Sequence, residues 1–359
     1  MILFDSQIVS VGDTLPQEGI AEVIDAQGAY VSAGFIDIHI HGSGGADVMD
    51  ATPQALETIS TTLLRTGTTA FLATTMTMAR TKIEAALETV VKVKDTLSGA
   101  RIIGVHLEGP FINPSKQGAQ DAAHIQEATL SWLAPYHEIV RMITLAPEMA
   151  GAEAFIRECQ ARYPQIVLSL GHSEATYAQS MQAFDLGISH VTHLFNAMPP
   201  YHHREPGVVG ACFDRDDVTC DLIADMVHTH PHHLRLAWKM KGTRLMLITD
   251  AMRAGCMREG TYDLGGQQVS VFEGKAVLAD GTLAGSVLRM NDALRHMRTH
   301  TALSLCEVID LVTKIPAQKL GLRKGRLQKG YDADIVIFDE DFSIITTIVA
   351  GEVKYQRSQ

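Results

Sequence analysis

No run of 18 or more apolar residues occurs in this chain, so no segment reads as a helix that crosses a bilayer. The opening residues Met1–Asp13 lack a basic segment followed by an apolar one, and a secretory leader is not expected. Positive charge is in deficit. Lys and Arg number 30 against 41 Asp and Glu, and a net charge of -11 repels nucleic acid and anionic membranes. Cysteine is sparse: Cys159, Cys212, Cys220, Cys256 and Cys306 show no CxxC spacing, which points to reduced, mostly buried thiols in a cytoplasmic protein. No short repeat or low-complexity tract is present. Histidine, in contrast, is abundant. The chain has 16, about twice the share that average composition gives, and imidazole is the commonest protein ligand for metals such as zinc.

Short, nearly continuous apolar runs rich in β-branched residues recur at Gly34–Ile40, Thr68–Thr74, Arg101–Leu107, Ile139–Leu145, Ile166–Leu170, Ile188–Val191, Val218–Ala224 and Arg244–Ile248. That is the pattern of parallel strands buried on both faces. Helical patterns separate several of them: Thr52–Arg65, with Thr52 as cap, Pro53 in the first turn and Gly67 past the end, then about Arg80–Leu97 and Glu174–Leu186. Eight strands alternating with helices predict an α/β fold, a (β/α)8 TIM barrel, the count favouring it over a doubly wound open sheet. The ends alternate instead with period two, at Ile20–Ile24, Gln27–Val31, Asp334–Phe338 and Ile344–Val353. They predict a small β-sandwich domain from residues 1–32 and 328–359, with the barrel inserted as 33–327. Tyr262–Ala279 reads as a hairpin segment over the barrel mouth, with turns at Gly265-Gly266 and Glu273-Gly274.

His39-Ile40-His41 ends the first run, and residues i and i+2 of a strand share a face. Barrel active sites lie at the C-terminal strand ends. Glu108 follows the third run, His172 the fifth, His193 the sixth and Asp250 the eighth. Four imidazoles and two carboxylates are thus expected on one rim. Six such ligands are too many for a single open catalytic metal and suit two. In this arrangement Glu108 bridges, His39, His41 and Asp250 hold one ion, and His172 and His193 hold the other. The donor set suits zinc, iron, manganese, cobalt or nickel, with zinc the expected occupant.

Ordered along the chain are Gly34-Phe-Ile-Asp-Ile-His-Ile-His-Gly42, His106-Leu-Glu-Gly-Pro-Phe111, Leu170-Gly-His-Ser173, His193-Leu-Phe-Asn-Ala-Met198, Arg204-Glu-Pro-Gly207, Leu222-Ile-Ala-Asp225 with His228, Ile248-Thr-Asp-Ala251, Leu283-Ala-Gly-Ser286 and Gly330-Tyr-Asp-Ala-Asp-Ile335. This set resembles the amidohydrolase superfamily, and within it the N-acetylglucosamine-6-phosphate deacetylase family. The resemblance spans essentially the whole chain. It implies a metal-dependent deacetylase of an amino-sugar phosphate, with Glu108 where many amidohydrolases carry a carbamylated lysine and with His172 and His193 as metal ligands. It implies that Asp250 is the catalytic acid/base that passes a proton from water to the leaving nitrogen. Asn196, Ala197, Arg204 and His228 match positions that hold the sugar phosphate, and Leu283, Ala284 and Gly285 join them as substrate contacts. Some members have lost the HxH pair and work with one metal; retention of both histidines here implies two. Some members also carry a histidine that polarises the acetyl carbonyl where this chain has Gln120, which can donate a hydrogen bond but no charge.

Arg204 offers a planar fork suited to phosphate, in a long loop that can reach a neighbouring subunit, so a homodimer with a shared site is expected. Three other readings compete: the same chemistry on the galactosamine epimer, a cyclic-amide hydrolase of the dihydroorotase kind, and an inactive barrel-derived binding protein. Glu108 at the bridge position weighs against the second, and the complete ligand set against the third.

Overall fold

The structure is a computed structural model that describes residues 1–14 and 19–358. Eight strands, β1 (Phe35–Ile40), β2 (Thr68–Thr75), β3 (Arg101–Glu108), β4 (Val140–Leu145), β5 (Val167–Leu170), β6 (His190–Val191), β7 (Thr219–Ile223) and β8 (Leu245–Ile248), pair in parallel in chain order. Each of the eight expected runs carries one of them. Just beyond the strands, β1 and β8 are joined by Asp250 N–H donating to the His39 carbonyl and His41 N–H to the Ala251 carbonyl, both at 2.9 Å. Below these, the Thr249 hydroxyl donates to the buried Asp37 carboxylate at 2.5 Å. The sheet thereby closes into a (β/α)8 barrel.

The three helical patterns also form, with ends set by local chemistry. Thr52 accepts from Ala55 N–H to start Pro53–Leu63, and a 3-10 turn then runs to Gly67, whose φ of 79° the missing Cβ permits. The helix expected from Glu174 starts only at Tyr177, because Thr176 and Gln179 form a reciprocal capping box. The one expected to reach Leu97 ends at Val93 and gives way to turns.

Alternate positions along the strands face inward, and near the C-terminal rim several of them are polar. Hydroxyls of Thr144, Thr192 and Ser169 form a chain, with 2.8 Å and 2.5 Å steps, beneath the C-terminal rim. The outward side chains Ile36, Ile38 and Ile40 belong to the main apolar core.

The ends of the chain build the companion domain. Tyr30–Ala33, Ile335–Phe338, Ile344–Val349 and Glu352–Gln356 form one antiparallel sheet, and Ile2–Phe4 pairs with Ile8–Val11 in a second. Ile8, Ala333, Ile335 and Ile348 form the small core. Two expectations are corrected. Ile20–Ile24 is not a strand: Val23 stands 79% exposed, and only Ile24 packs on the small core. Gln27–Val31 begins with a turn, and pairing starts at Tyr30. The mouth segment folds as three strands, Gly260–Leu264, Gln267–Phe272 and Lys275–Val277, turning at Gly265-Gly266 and Glu273-Gly274 as anticipated. We call it the flap. Cys159, Cys212 and Cys220 are buried and Cys256 and Cys306 exposed, all unpaired. No helix among the described residues is long and apolar enough to cross a membrane.

Candidate active site

The barrel rim brings the expected ligands together. His39 and His41, two positions apart, place their Nε2 atoms 3.4 Å from each other. Glu108 ends β3 between the two histidine groups. Its Oε1 lies 3.3 Å from His39 Nε2, 3.1 Å from His172 Nε2 and 3.2 Å from His193 Nε2, and its Oε2 lies 3.2 Å from His41 Nε2. Asp250 Oδ1 stands 3.2 Å from His41 and 3.5 Å from His39. All six side chains are buried. Two sets, His39–His41–Glu108 and Glu108–His172–His193, each gather their ligand atoms within 4.8 Å.

His172, His193 and Asp250 all have left-handed backbones, with φ of 50°, 33° and 49°. Such conformations are uncommon outside glycine and cluster at functional sites. Neighbouring groups hold them. The His193 N–H donates to Asp221 Oδ1 at 2.5 Å while the other oxygen of Asp221 engages His190 at 2.8 Å. Asp250 N–H and carbonyl are both bonded, to His39 and Ser286.

Hydrogen bonding tests whether a metal fits. A carbonyl oxygen only accepts, so His172 Nδ1 donates to the Lys116 carbonyl at 2.8 Å and His193 Nδ1 to the Asn196 carbonyl at 3.1 Å. A ring that binds a metal in this orientation is neutral and turns its Nε2 lone pair inward. These two nitrogens are 3.1 Å apart and share Glu108 Oε1. Three electron-rich atoms so placed repel one another unless a cation lies among them. His39 and His41 repeat the convergence beside Glu108 and Asp250. Imidazole and carboxylate without thiolate is a donor set for zinc and its first-row neighbours, and the residues fit such an ion.

The electrostatics agree with a cluster that holds its acids ionised. Burial works to raise the Glu108 carboxyl, but the facing His39 and His172 imidazoles hold it well below the usual range. Burial is likewise outweighed at Asp250, which His39 and His41 keep below its ordinary value. His106 behaves in the opposite way. Burial and the neighbouring His39 push it well down, and its nitrogens meet the Ile38 carbonyl and the Thr144 hydroxyl. It is a neutral core histidine below the ligands.

A cavity of about 250 Å³ opens above the cluster. Gln120, Asn196, Ala197, His228, Leu283 and Gly285 line it, as the sequence led us to expect. His228 Nδ1–H donates to Asp225 Oδ2 at 2.7 Å, which leaves Nε2 for a ligand. Two expected contacts are elsewhere in this chain. Ala284 is fully buried behind the wall, its N–H bonded to the Ala276 carbonyl. Arg204 is exposed outside the cavity beside His203. Ile223, from the Leu222–Asp225 motif, also lines the cavity, as do Met76, Gly118, Ala119, Leu264 and Thr282, which sequence reasoning did not single out. Apart from Leu264, in the recognised flap, nothing in residue type marks them. Gln120 is engaged in an unforeseen way: its Oε1 accepts from Thr77 N–H and its Nε2 donates to Glu108 Oε2, both at 2.6 Å.

A barrel rim carrying buried imidazoles and carboxylates around a small cavity defines a metal-dependent hydrolase, and the chain belongs to the amidohydrolase family, whose model matches residues 30–354. More particularly, it is similar to the N-acetylglucosamine-6-phosphate deacetylase of Bacillus subtilis (strain 168), 40% identical over 98% of this chain and 91% of the relative. It is 35% identical to an N-acetylgalactosamine-6-phosphate deacetylase of Escherichia coli O157:H7, over 89% of this chain and 86% of that one. A solved structure of a mutant N-acetyl-D-glucosamine-6-phosphate deacetylase from Mycobacterium smegmatis, in complex with N-acetyl-D-glucosamine-6-phosphate, superposes with a TM-score of 0.91 at 32% identity, over 99% of this chain and 94% of that one.

Proposed function

We propose that this protein hydrolyses N-acetyl-D-glucosamine 6-phosphate to glucosamine 6-phosphate and acetate in amino-sugar catabolism, as a cytoplasmic homodimer. The observation that carries the reading is the convergence of His39, His41, Glu108, His172, His193 and Asp250, all but His39 lining one cavity. Full-length likeness to deacetylases of this substrate supports it. His39, His41 and Asp250 would hold one divalent ion and His172 and His193 the other, with Glu108 between them and zinc the expected metal. When bound, such ions acidify water and offset negative charge developing on a carbonyl oxygen.

The chain's own groups do the rest. Asp250, kept ionised by His39 and His41, accepts the proton of the attacking water and returns it to the departing nitrogen. Asn196, Ala197, Leu283 and Gly285 shape the space for the sugar. His228, its Nδ1–H on Asp225, donates to the phosphate through Nε2 in its doubly protonated form, which the two facing anions favour. Arg204 completes the phosphate site from the neighbouring subunit, consistent with its standing outside its own cavity.

A second reading, the same reaction on the galactosamine epimer, is favoured by the relative of that name. Acetate release from the two epimeric 6-phosphates and their unphosphorylated sugars decides between them. We expect the highest kcat/KM on N-acetylglucosamine 6-phosphate. A higher value on the galactosamine compound transfers the assignment, and equal rates with and without phosphate remove the phosphate site. Acetate from none of the four ends the proposal.

A further inference from the structure

The loop 116–120 enters between the metal ligands and the flap, and it makes four directed contacts. The Lys116 carbonyl accepts from His172 Nδ1 at 2.8 Å. The Ala119 carbonyl accepts from Gln267 Nε2 of the flap at 2.7 Å. Gln120, only 4% exposed, binds Thr77 N–H through Oε1 and Glu108 Oε2 through Nε2. The Thr77 N–H can only donate, so the Gln120 oxygen must face it and the amide nitrogen must face Glu108. The orientation of the amide is fixed by its partners.

Glu108 has only one carboxylate with which to serve four imidazoles. Its Oε1 faces His39, His172 and His193, and its Oε2 is left to His41 and Gln120. A donor at 2.6 Å on Oε2 fixes the rotation of the carboxylate plane, and with it the direction in which Oε1 points. We infer that Gln120 is a positioning residue, a clamp that orients the bridging carboxylate for metal binding, and that the flap holds this clamp in place through Gln267 and the Ala119 carbonyl. The role differs from polarisation of the acetyl carbonyl, because the amide acts on a ligand and not on the substrate. The inference rests on the reading of Glu108 as a metal ligand.

Groups that orient metal ligands typically account for about 10- to 100-fold in metal affinity. The test is competition for zinc between the protein and a chromogenic chelator, made on wild type, Gln120→Met, Gln120→Asn and Gln267→Ala. Methionine keeps the length of the side chain and removes the donor; asparagine keeps the amide but is too short to span Thr77 and Glu108. Both should bind zinc about 10- to 100-fold more weakly, and Gln267→Ala should weaken it by a smaller factor. Cobalt-loaded Gln120→Met should also show a shifted visible spectrum, a change that simple loss of fold stability does not give. Wild-type zinc affinity in the Gln120 variants, together with reduced turnover, would overturn the inference in favour of a substrate contact. Wild-type affinity in Gln267→Ala would remove the flap's part. A wild-type protein that binds no zinc would overturn the metal reading itself. If Gln120→Met does not fold, the asparagine variant, which retains polarity at the site, gives the decision.

Discussion

Asp250 and Glu108 are both buried carboxylates among imidazoles, yet their surroundings give them different work. Glu108 has both oxygens committed, to four histidines and to Gln120. Asp250 shares only Oδ1, with His39 and His41, and also borders the cavity. It therefore has an oxygen with which to handle a proton. Asp250→Asn preserves the shape and removes the basicity, so kcat should fall by about 10²- to 10⁴-fold with KM little changed, as steady-state acetate release would show. An Asp250→Asn enzyme with normal turnover would end its role as the acid/base. His172 is placed otherwise: its Nε2 faces Glu108 Oε1 and its Nδ1 the Lys116 carbonyl, which suits it to hold an ion. His172→Ala should lose bound zinc, measured by elemental analysis of protein purified without chelator, before it loses fold. Unchanged zinc content would remove His172 from the ligand set.

At the level of elements, what could be read from sequence was what repeats or ends a strand. The eight apolar runs gave the barrel, and the candidate ligands were legible because each lies within two residues of the C-terminal end of one of them. His106 shows where that logic stops. It lies inside β3, two residues before Glu108 on the same face, but a depth of one layer separates a core histidine from a ligand. The loop 116–120 carries no periodicity, and its hold on Glu108 and His172 depends on partners distant in sequence. Ile20–Ile24 misled because alternation describes a strand only when another strand is present to pair with it. The barrel elements also fit closely enough to be tested. A Cβ on Gly34, which leads into β1, would come within 2.2 Å of the buried Thr69 side chain in β2. Gly34→Ala should cost about 1–3 kcal/mol in urea unfolding, and an unaltered midpoint would mean that the β1–β2 contact is looser than it looks.

For the whole molecule, two features tie distant parts together. Arg204 stands in an exposed loop outside its own cavity, and if the proposed homodimer forms, its contribution should appear between subunits. Arg204→Ala should raise KM for the phosphorylated sugar far more than for the unphosphorylated one. Mixed with Asp250→Asn subunits, it should recover activity that neither variant has alone, since one site of the hybrid regains both groups. No recovery on mixing would place Arg204 within its own subunit. At the opposite end of the barrel Lys319 donates to the Ser189 carbonyl and hydroxyl just before β6. Burial pulls its ammonium down to about 8, with Asp217 opposing, against 10.5 in the unfolded chain. Below pH 8 both states hold the proton and the penalty for burying the charge is constant. From there to 10.5 the unfolded chain binds more protons than the folded one, so this group's contribution to stability rises with pH. Lys319→Met should lack that rise when urea midpoints are compared with wild type between neutral pH and about pH 10; parallel profiles would show that Lys319 is not desolvated.

The pairing of Tyr30–Ala33 with Ile335–Phe338 sets a sequence of events during synthesis. The strand that leads straight into β1 emerges from the ribosome some three hundred residues ahead of its partner and must wait unpaired while the whole barrel is made. A stalled nascent chain ending before Ile335 should therefore remain open to protease near residue 30, and release of the last sheet strands should close that site.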